Sequence, residues 1–325
     1  MNKKYLITGG LGFIGKAIAN NLVQQGHEVI ILDNGFRHKN AKNYQKKKLK
    51  IIKADITNQS NLDKYFKNIH TVIHLAAING TSNFYERPNL VLDVGIKGIM
   101  NVLDLCKKNK VSDFFLASSS EVYHDPPYYP ADEKVPLIIP DPFNPRYTYS
   151  ASKIISEILL LNTAFFNRAI IFRPHNIYGP DMGWEHVVPE FVLKMDDLIS
   201  TQASQSIDFE IQGTGNETRA FVFIDDFVDG LFRVIEHGQH LNVYHIGTSN
   251  EIKLSDLAQQ IASLFQAKID IIPGDLAQGG TLRRCPDIAK LKGLGFDPQT
   301  TMEDGLKVTK KWYVENKHLK PITTA

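Results

Sequence analysis

Cysteine is scarce in this chain: Cys106 and Cys285 are the only two among 325 residues. Two thiols cannot build a disulfide framework and their spacing fits no metal site, so a reducing, cytoplasmic setting and no bound metal are expected. Net charge is scarce too. The formal balance is +2, which offers no bulk attraction to nucleic acid or to acidic membranes. The basic run "KKKLK" at 46–50 reads as a solvated loop ahead of a strand. No apolar run approaches the roughly 20 residues a spanning helix needs. The opening "MNKKYLITGG" turns glycine-rich after an apolar stretch too short for a secretion signal. Internal repeats and low-complexity linkers are also missing. What remains is a soluble globular composition, 43% hydrophobic and 22% charged, at a length suited to one large domain or two modest ones sharing a boundary.

The first half alternates short β-rich runs with helical patterns. Segments 4–8, 28–33, 50–55, 71–76, 113–118 and 169–174 are dense in Ile, Val, Leu and Phe without alternation, as strands covered on both faces should be. Helices are expected near 13–25, 58–67, 90–109 and 146–166. This rhythm predicts an α/β fold with a doubly wound parallel sheet and right-handed crossovers. After Pro174 prolines and glycines cluster and the elements shorten. Residues 1–174 are therefore expected to form the nucleotide-binding domain, with about 219–247 returning to it. Residues 175–325 are expected to form mainly a smaller substrate-binding region.

"ITGGLGFIG" at 7–15 places Gly9, Gly12 and Gly15 directly after the first strand and into a helix start. The backbone there must turn tightly, approach a diphosphate and pack helix against strand, which glycine does without a Cβ clash. Asp33 ends the second strand at about the 20-residue distance expected of a ribose-binding carboxylate. A carboxylate there would repel a 2′-phosphate, so NAD is expected over NADP, with nearby Arg37 weakening that preference. Asp55 ends the third strand and is expected to accept from the adenine amino group, to cap the helix near Thr57, or both. "HLAA" at 74–77 falls at the carboxyl edge, where open sheets bind ligands; small Ala76 and Ala77 would let a cofactor lie close, and His74 reads as a packed strand-end histidine.

Tyr149 and Lys153 stand four apart on a helix and share a face. A tyrosine of pKa about 10 is a poor base at neutral pH, but a lysine ammonium and a positive nicotinamide ring beside it stabilise the phenolate. A hydroxyl from the end of the fifth strand, where "SSSEVY" lies at 118–123, would hold a substrate alcohol across from it.

This ordered set resembles the extended short-chain dehydrogenase/reductase superfamily, and more closely its nucleotide-sugar epimerase/dehydratase branch, over nearly the whole chain. The resemblance implies a Rossmann-type sheet and a cofactor site that includes Phe13, Ile14, Ile56 and Leu75. It implies Tyr149 as base, Lys153 as its tuner and Ser119 as the substrate-hydroxyl residue. It also implies a nucleotide-diphosphate sugar as substrate. "RPHNIYGP" (173–180) places Asn176 against that substrate, while "TRAFVFIDD" (218–226) and "LRRCPDI" (282–288) place Arg219 and Arg284 against its diphosphate, a match to the fork geometry of guanidinium. The helices near 90–109 and 146–166 would form a homodimer four-helix bundle.

In this branch hydride passes from sugar C4 to NAD, giving a 4-keto sugar with acidified C3–H and C5–H bonds and a labile C5 carboxylate. The fate of that keto sugar turns on Glu121. 4-Epimerases typically carry a small or neutral residue there, although some share Ser-Glu-Val-Tyr. 4,6-Dehydratases and C5-carboxylate decarboxylases carry glutamate. Dehydratases also place aspartate just before it, where this chain has Ser120. The glutamate can also be structural. His124 replaces the usual glycine after Val-Tyr, and Gly95 replaces an asparagine. The proline-rich insert at 124–147 reads as an irregular flap over the site. The expected activity is epimerisation; decarboxylation of UDP-glucuronate, 4,6-dehydration, a reductase releasing NADH and a non-catalytic NAD-sensing regulator are the rivals.

Overall fold

The computed structural model describes residues 2–36, 46–201, 206–275 and 280–321; Arg37 lies outside them. Six expected strands form: β1 (Lys4–Thr8), β2 (Glu28–Asp33), β3 (Leu49–Lys53), β4 (Thr71–His74), β5 (Asp113–Ala117) and β6 (Arg168–Pro174). β7 (Ile177–Tyr178), β8 (Ile207–Ile211), β9 (Thr218–Ala220) and β10 (Val222–Phe223) follow, and β11 (Asn242–Ile246) returns beside β6. The resulting seven-stranded sheet is parallel, in the order β11-β6-β5-β4-β1-β2-β3. The chain leaves β1 to one side and resumes at β4 on the other, so a crevice opens above the β1 and β4 carboxyl ends. β4 and β5 are wholly buried, in keeping with their unbroken apolar character.

Helices cover both faces. α1 (Phe13–Gln24) buries Ile18, Ala19 and Leu22. The helix expected over 58–67 is reduced to one turn, α2 (Asp63–Phe66). Asn58 accepts from the Ser60 amide, and Asn61 and Asn68 take left-handed φ of 67° and 59°; asparagine tolerates that conformation and side chain–backbone turns compete with helix. A short helix, α3 (Thr81–Glu86), precedes the segment expected near 90–109, which is α4 (Pro88–Leu92), a π-helical turn (Asp93–Lys97) and α5 (Gly98–Lys108). Gly95 explains its departure from asparagine. A Cβ there would stand 2.5 Å from the Ser152 hydroxyl of α6 (Thr148–Leu161), so the two helices touch through it.

Beyond β6 lie α7 (Val187–Thr201), α8 (Ile224–His237), β12 (Glu251–Lys253), α9 (Leu254–Leu264), β13 (Ile269–Pro273), β14 (Arg283–Arg284), α10 (Ala289–Lys292) and α11 (Met302–Glu315). One apolar cluster runs from Ile18 on α1 through Phe227 on α8 to Tyr313 on α11, so these elements share a core with one face of the sheet. The insert at 124–147 is irregular, and it is clasped to the β14 segment: Ala131 donates to the Cys285 carbonyl (2.9 Å) and accepts from the Asp287 amide (2.7 Å). No helix among the described residues is long and apolar enough to cross a membrane. The basic run at 46–50 is partly tied down, Lys46 donating to Asn20 and Lys48 to the Gly26 carbonyl.

Candidate active site

A cleft of about 370 Å³ lies over the sheet's carboxyl edge. At one end the glycine loop forms a cradle. Gly9 has φ 69°, and a Cβ on it would sit 2.8 Å from the Ala76 backbone, so only glycine lets the β1 and β4 ends meet this closely. Gly12 begins α1 with no side chain capping the helix amides. Those amides, with Phe13, Ile14 and Gly15, face the cleft as an uncapped positive helix end. Gly15 packs on Gly10, where a Cβ would fall 2.5 Å from Cα. Asp33 is fixed by accepting from the Leu11 amide (3.0 Å) and the Gly35 amide (2.8 Å). Ile56, Leu75, Ala76 and Ala77 complete this wall. Asp55 also lines it but caps no helix: it closes a turn by accepting from the Thr57 amide and hydroxyl. Burial would raise the Asp55 carboxyl, but these Thr57 bonds outweigh it and hold it low. An open helix N-terminus, a glycine cradle and a fixed carboxylate are what a dinucleotide without a 2′-phosphate requires, so the residues present fit NAD.

His74 is buried between Thr8, whose hydroxyl lies 2.8 Å from Nδ1, and Phe114. Burial and then Lys153 push it down to about 3, so its imidazole is neutral. It is a packing residue, as its strand-end position suggests.

The other end of the cleft holds the candidate chemistry. Tyr149 is 7% exposed, and its ring stacks on Phe84 at 5.3 Å. Lys153 Nζ lies 5.7 Å from that ring's centroid and donates to the Ala117 carbonyl at 2.7 Å. Burial pushes the Lys153 ammonium down to about 8, opposed by Glu157 one turn along α6. Glu157 is in turn held by both arms of Arg173 (2.9 and 2.6 Å), and Arg173 also donates to Tyr123.

Ser119 lines the cleft, and its hydroxyl accepts from the Glu121 amide (3.2 Å), opening a 3₁₀ turn over Ser120–Tyr123. That turn ends at His124 with φ 54°, which gives the reason glycine is usual there. Ser118 Oγ is buried at the cleft without a hydrogen-bond partner among the described residues. Glu121 Oε1 accepts from Arg284 Nη1 at 2.6 Å. Burial would raise the Glu121 carboxyl, but Arg284, then Arg146 and Arg219, outweigh it and keep it ionised. Asn176 lines the cleft in a left-handed conformation, φ 34°, and donates to the Ala220 carbonyl.

Every expected site residue except Arg219 therefore lines one cleft. Arg219 donates to the Thr218 and Thr281 carbonyls, each at 2.7 Å. Burial, then the charge of Arg284, push it down to about 10. The sequence reading missed Phe84, Glu185, His186 and Arg146, which also line the cleft. Only Arg146 carried a clue, standing three residues, about one helical turn, before Tyr149.

The comparisons agree with this geometry. Residues 5–247 match the model of the NAD dependent epimerase/dehydratase family. The chain is 30% identical to a UDP-N-acetyl-alpha-D-glucosaminuronate decarboxylase of Bacillus cytotoxicus, covering 97% of this chain and 99% of that protein. It is also 30% identical to a putative UDP-glucose 4-epimerase of Methanocaldococcus jannaschii, covering 96% and 98%. A dTDP-glucose 4,6-dehydratase of Streptomyces venezuelae, solved with NAD bound, superposes with a TM-score of 0.82 at 26% identity, covering 98% of each chain.

Proposed function

Because this chain belongs to the NAD dependent epimerase/dehydratase family, and so is an NAD-dependent enzyme, we propose that it epimerises a uridine-diphosphate sugar through a transient 4-keto form of that sugar. The observation that carries the reading is the convergence of Tyr149, Lys153 and Ser119 on the cleft that also contains the glycine cradle. Bound NAD supplies the acceptor and donor of hydride. Tyr149 takes the proton of the sugar 4-hydroxyl and later returns it. Lys153, an ammonium below about pH 8, stabilises the tyrosinate through space. Ser119 positions the hydroxyl. Asn176 contacts the nucleotide side, and Arg284, bonded to Glu121 and Thr281, reaches the diphosphate only by exchanging one of those partners. Arg219 acts on the diphosphate only by exchanging its carbonyl partners for phosphate oxygens.

Dehydration is disfavoured by one feature: Ser120 stands where an acid is needed to protonate the leaving hydroxyl, and serine is a poor acid. Decarboxylation of a uronate is the second reading. It is favoured by the identity to a uronate decarboxylase and by the Glu121–Arg284 pair beside Ser119, which a simple 4-epimerase does not need.

The test incubates the protein and NAD in D2O with UDP-glucuronate, UDP-glucose, UDP-N-acetylglucosamine and GDP-mannose, read by mass spectrometry and NMR. An inverted stereocentre at unchanged elemental composition is expected. Loss of carbon dioxide would install the second reading, and loss of water would overturn both.

A further inference from the structure

We infer that Arg146 forms an anion-binding subsite at the sugar end of the cleft, and that the sugar carries a carboxylate at C5, as a nucleotide-linked hexuronate does. This rests on the nucleotide-sugar reading above and specifies which sugars it includes.

Arg146 sits in the 3₁₀ turn Pro145–Tyr147 that leads into α6, three residues before Tyr149. The turn is fixed: Asn144 Oδ1 accepts from the Arg146 amide (3.0 Å), and the Thr148 hydroxyl donates to the Pro145 carbonyl (2.7 Å). The side chain lines the cleft, and its charge is felt at Glu121, His124 and Tyr147. Yet its guanidinium makes no hydrogen bond or ion pair to any described residue. The other cations here are engaged. Arg284 is bonded to Glu121 and to the Thr281 hydroxyl, Arg219 to carbonyls, and Lys153 to Ala117.

The unmet donors give the ligand class. Glu121 and Arg284 are paired, and Glu185, which also lines the cleft, accepts from the Ser82 hydroxyl of α3. Arg146 is then the cation lining the cleft whose guanidinium has no acceptor among the described residues. A partly buried guanidinium with five free donors calls for a planar two-oxygen acceptor. With Tyr149 directed at the 4-hydroxyl, the neighbouring substituents are those of C3 and C5, and of these C5 is the one that carries either a hydroxymethyl group or a carboxylate. A hydroxymethyl group there offers one neutral oxygen, whereas a carboxylate offers two charged ones in the matching geometry.

Binding separates this subsite from the reading beneath it. NAD-loaded protein carrying Tyr149→Phe, to block turnover, is titrated calorimetrically with UDP, UDP-glucose and UDP-glucuronate. UDP-glucuronate should bind at least about tenfold tighter than UDP-glucose, the scale of a hydrogen bond to a charged group. Arg146→Gln should erase that preference while leaving UDP and UDP-glucose within about twofold. Arg146→Lys, with charge but no fork, should retain part of it. Equal binding of the two sugars in the parent protein overturns the subsite and leaves the nucleotide-sugar reading standing. So does an equal loss of UDP affinity in Arg146→Gln, which would make Arg146 a phosphate contact. No binding of UDP at all overturns both.

Discussion

Removing the charge on Glu157 should lower the pH at which activity is lost on the alkaline side. Lys153 titrates at about 8 rather than 10.5 because it is buried, a change equivalent to about 3 kcal/mol. For a lysine the sign is this: a folded pKa below the unfolded one means the ammonium form destabilises the fold. That penalty is complete below pH 8 and relieved as pH rises toward 10.5. Wild-type stability relative to Lys153→Met should therefore climb through that window. Glu157 is the carboxylate that opposes the penalty, and it is paired with Arg173, both side chains being at most 4% exposed. Glu157→Gln alone leaves Arg173 buried without a counter-ion and should cost about 3–5 kcal/mol. Glu157→Leu with Arg173→Met removes both charges without leaving a buried amide unpaired and should be close to neutral for stability. In either variant Lys153 loses its favourable charge and titrates lower. The alkaline limb of kcat/KM should then fall below the wild-type limb near pH 8, because a neutral lysine no longer supports the tyrosinate. Urea unfolding and pH–rate profiles of the two variants decide the matter. A folded double variant with an unmoved alkaline limb would refute the argument, since stability would then be the only property Glu157 supports.

Tyr149→Phe should reduce turnover by about 10²–10⁴ while NAD and UDP still bind; unchanged turnover in a steady-state assay would remove Tyr149 from the chemistry. Gly95→Ala should destabilise by about 1–3 kcal/mol through overpacking against Ser152, outweighing a helix-propensity gain of at most about 1 kcal/mol. Adding Ser152→Gly should recover part of this loss in thermal unfolding, and a neutral Gly95→Ala would show that the two helices are not in forced contact. Met100 on α5 and Ile158 and Leu161 on α6 are 49%, 55% and 37% exposed, so we expect these helices to meet their copies in a dimer. Light scattering should give a dimer for wild type and a monomer for Ile158→Glu, and a wild-type monomer would rule this out.

Most of the parallel sheet was readable because β1, β2, β4, β5 and β6 are largely buried and therefore lack alternation, and because glycines follow β1 and β2; β3, at the sheet edge, is only half-buried. The cofactor end was readable for a related reason: Gly9, Gly12, Gly15 and Asp33 are close in sequence or close successive strands, so local spacing carries their geometry. Tyr149 and Lys153 share one helix face. What could not be read depends on contacts remote in the chain. Nothing local to Glu121 tells that Arg284, 163 positions away, neutralises it. Nothing in "TRAFVFIDD" tells that Arg219 bonds carbonyls of its own strand and of Thr281. The helix over 58–67 failed for a local reason that apolar spacing conceals, since its asparagines support turns at least as well as helix. Glu185 and His186 reach the cleft only because the chain beyond β7 folds back over it.

The clasp at Ala131 has an evolutionary corollary. Tyr129 and Arg283, 154 positions apart, are joined as well, by a hydrogen bond from the Tyr129 hydroxyl to the Arg283 carbonyl and by the guanidinium over the ring. The insert at 124–147 and the strap carrying Arg284 are thus two halves of one clasped piece. A lineage that exchanged the insert to accept a new sugar would inherit a mismatched strap, and with it a misplaced partner for Glu121. The two segments should consequently drift together between relatives, and a graft of either one alone should transplant half of a joint.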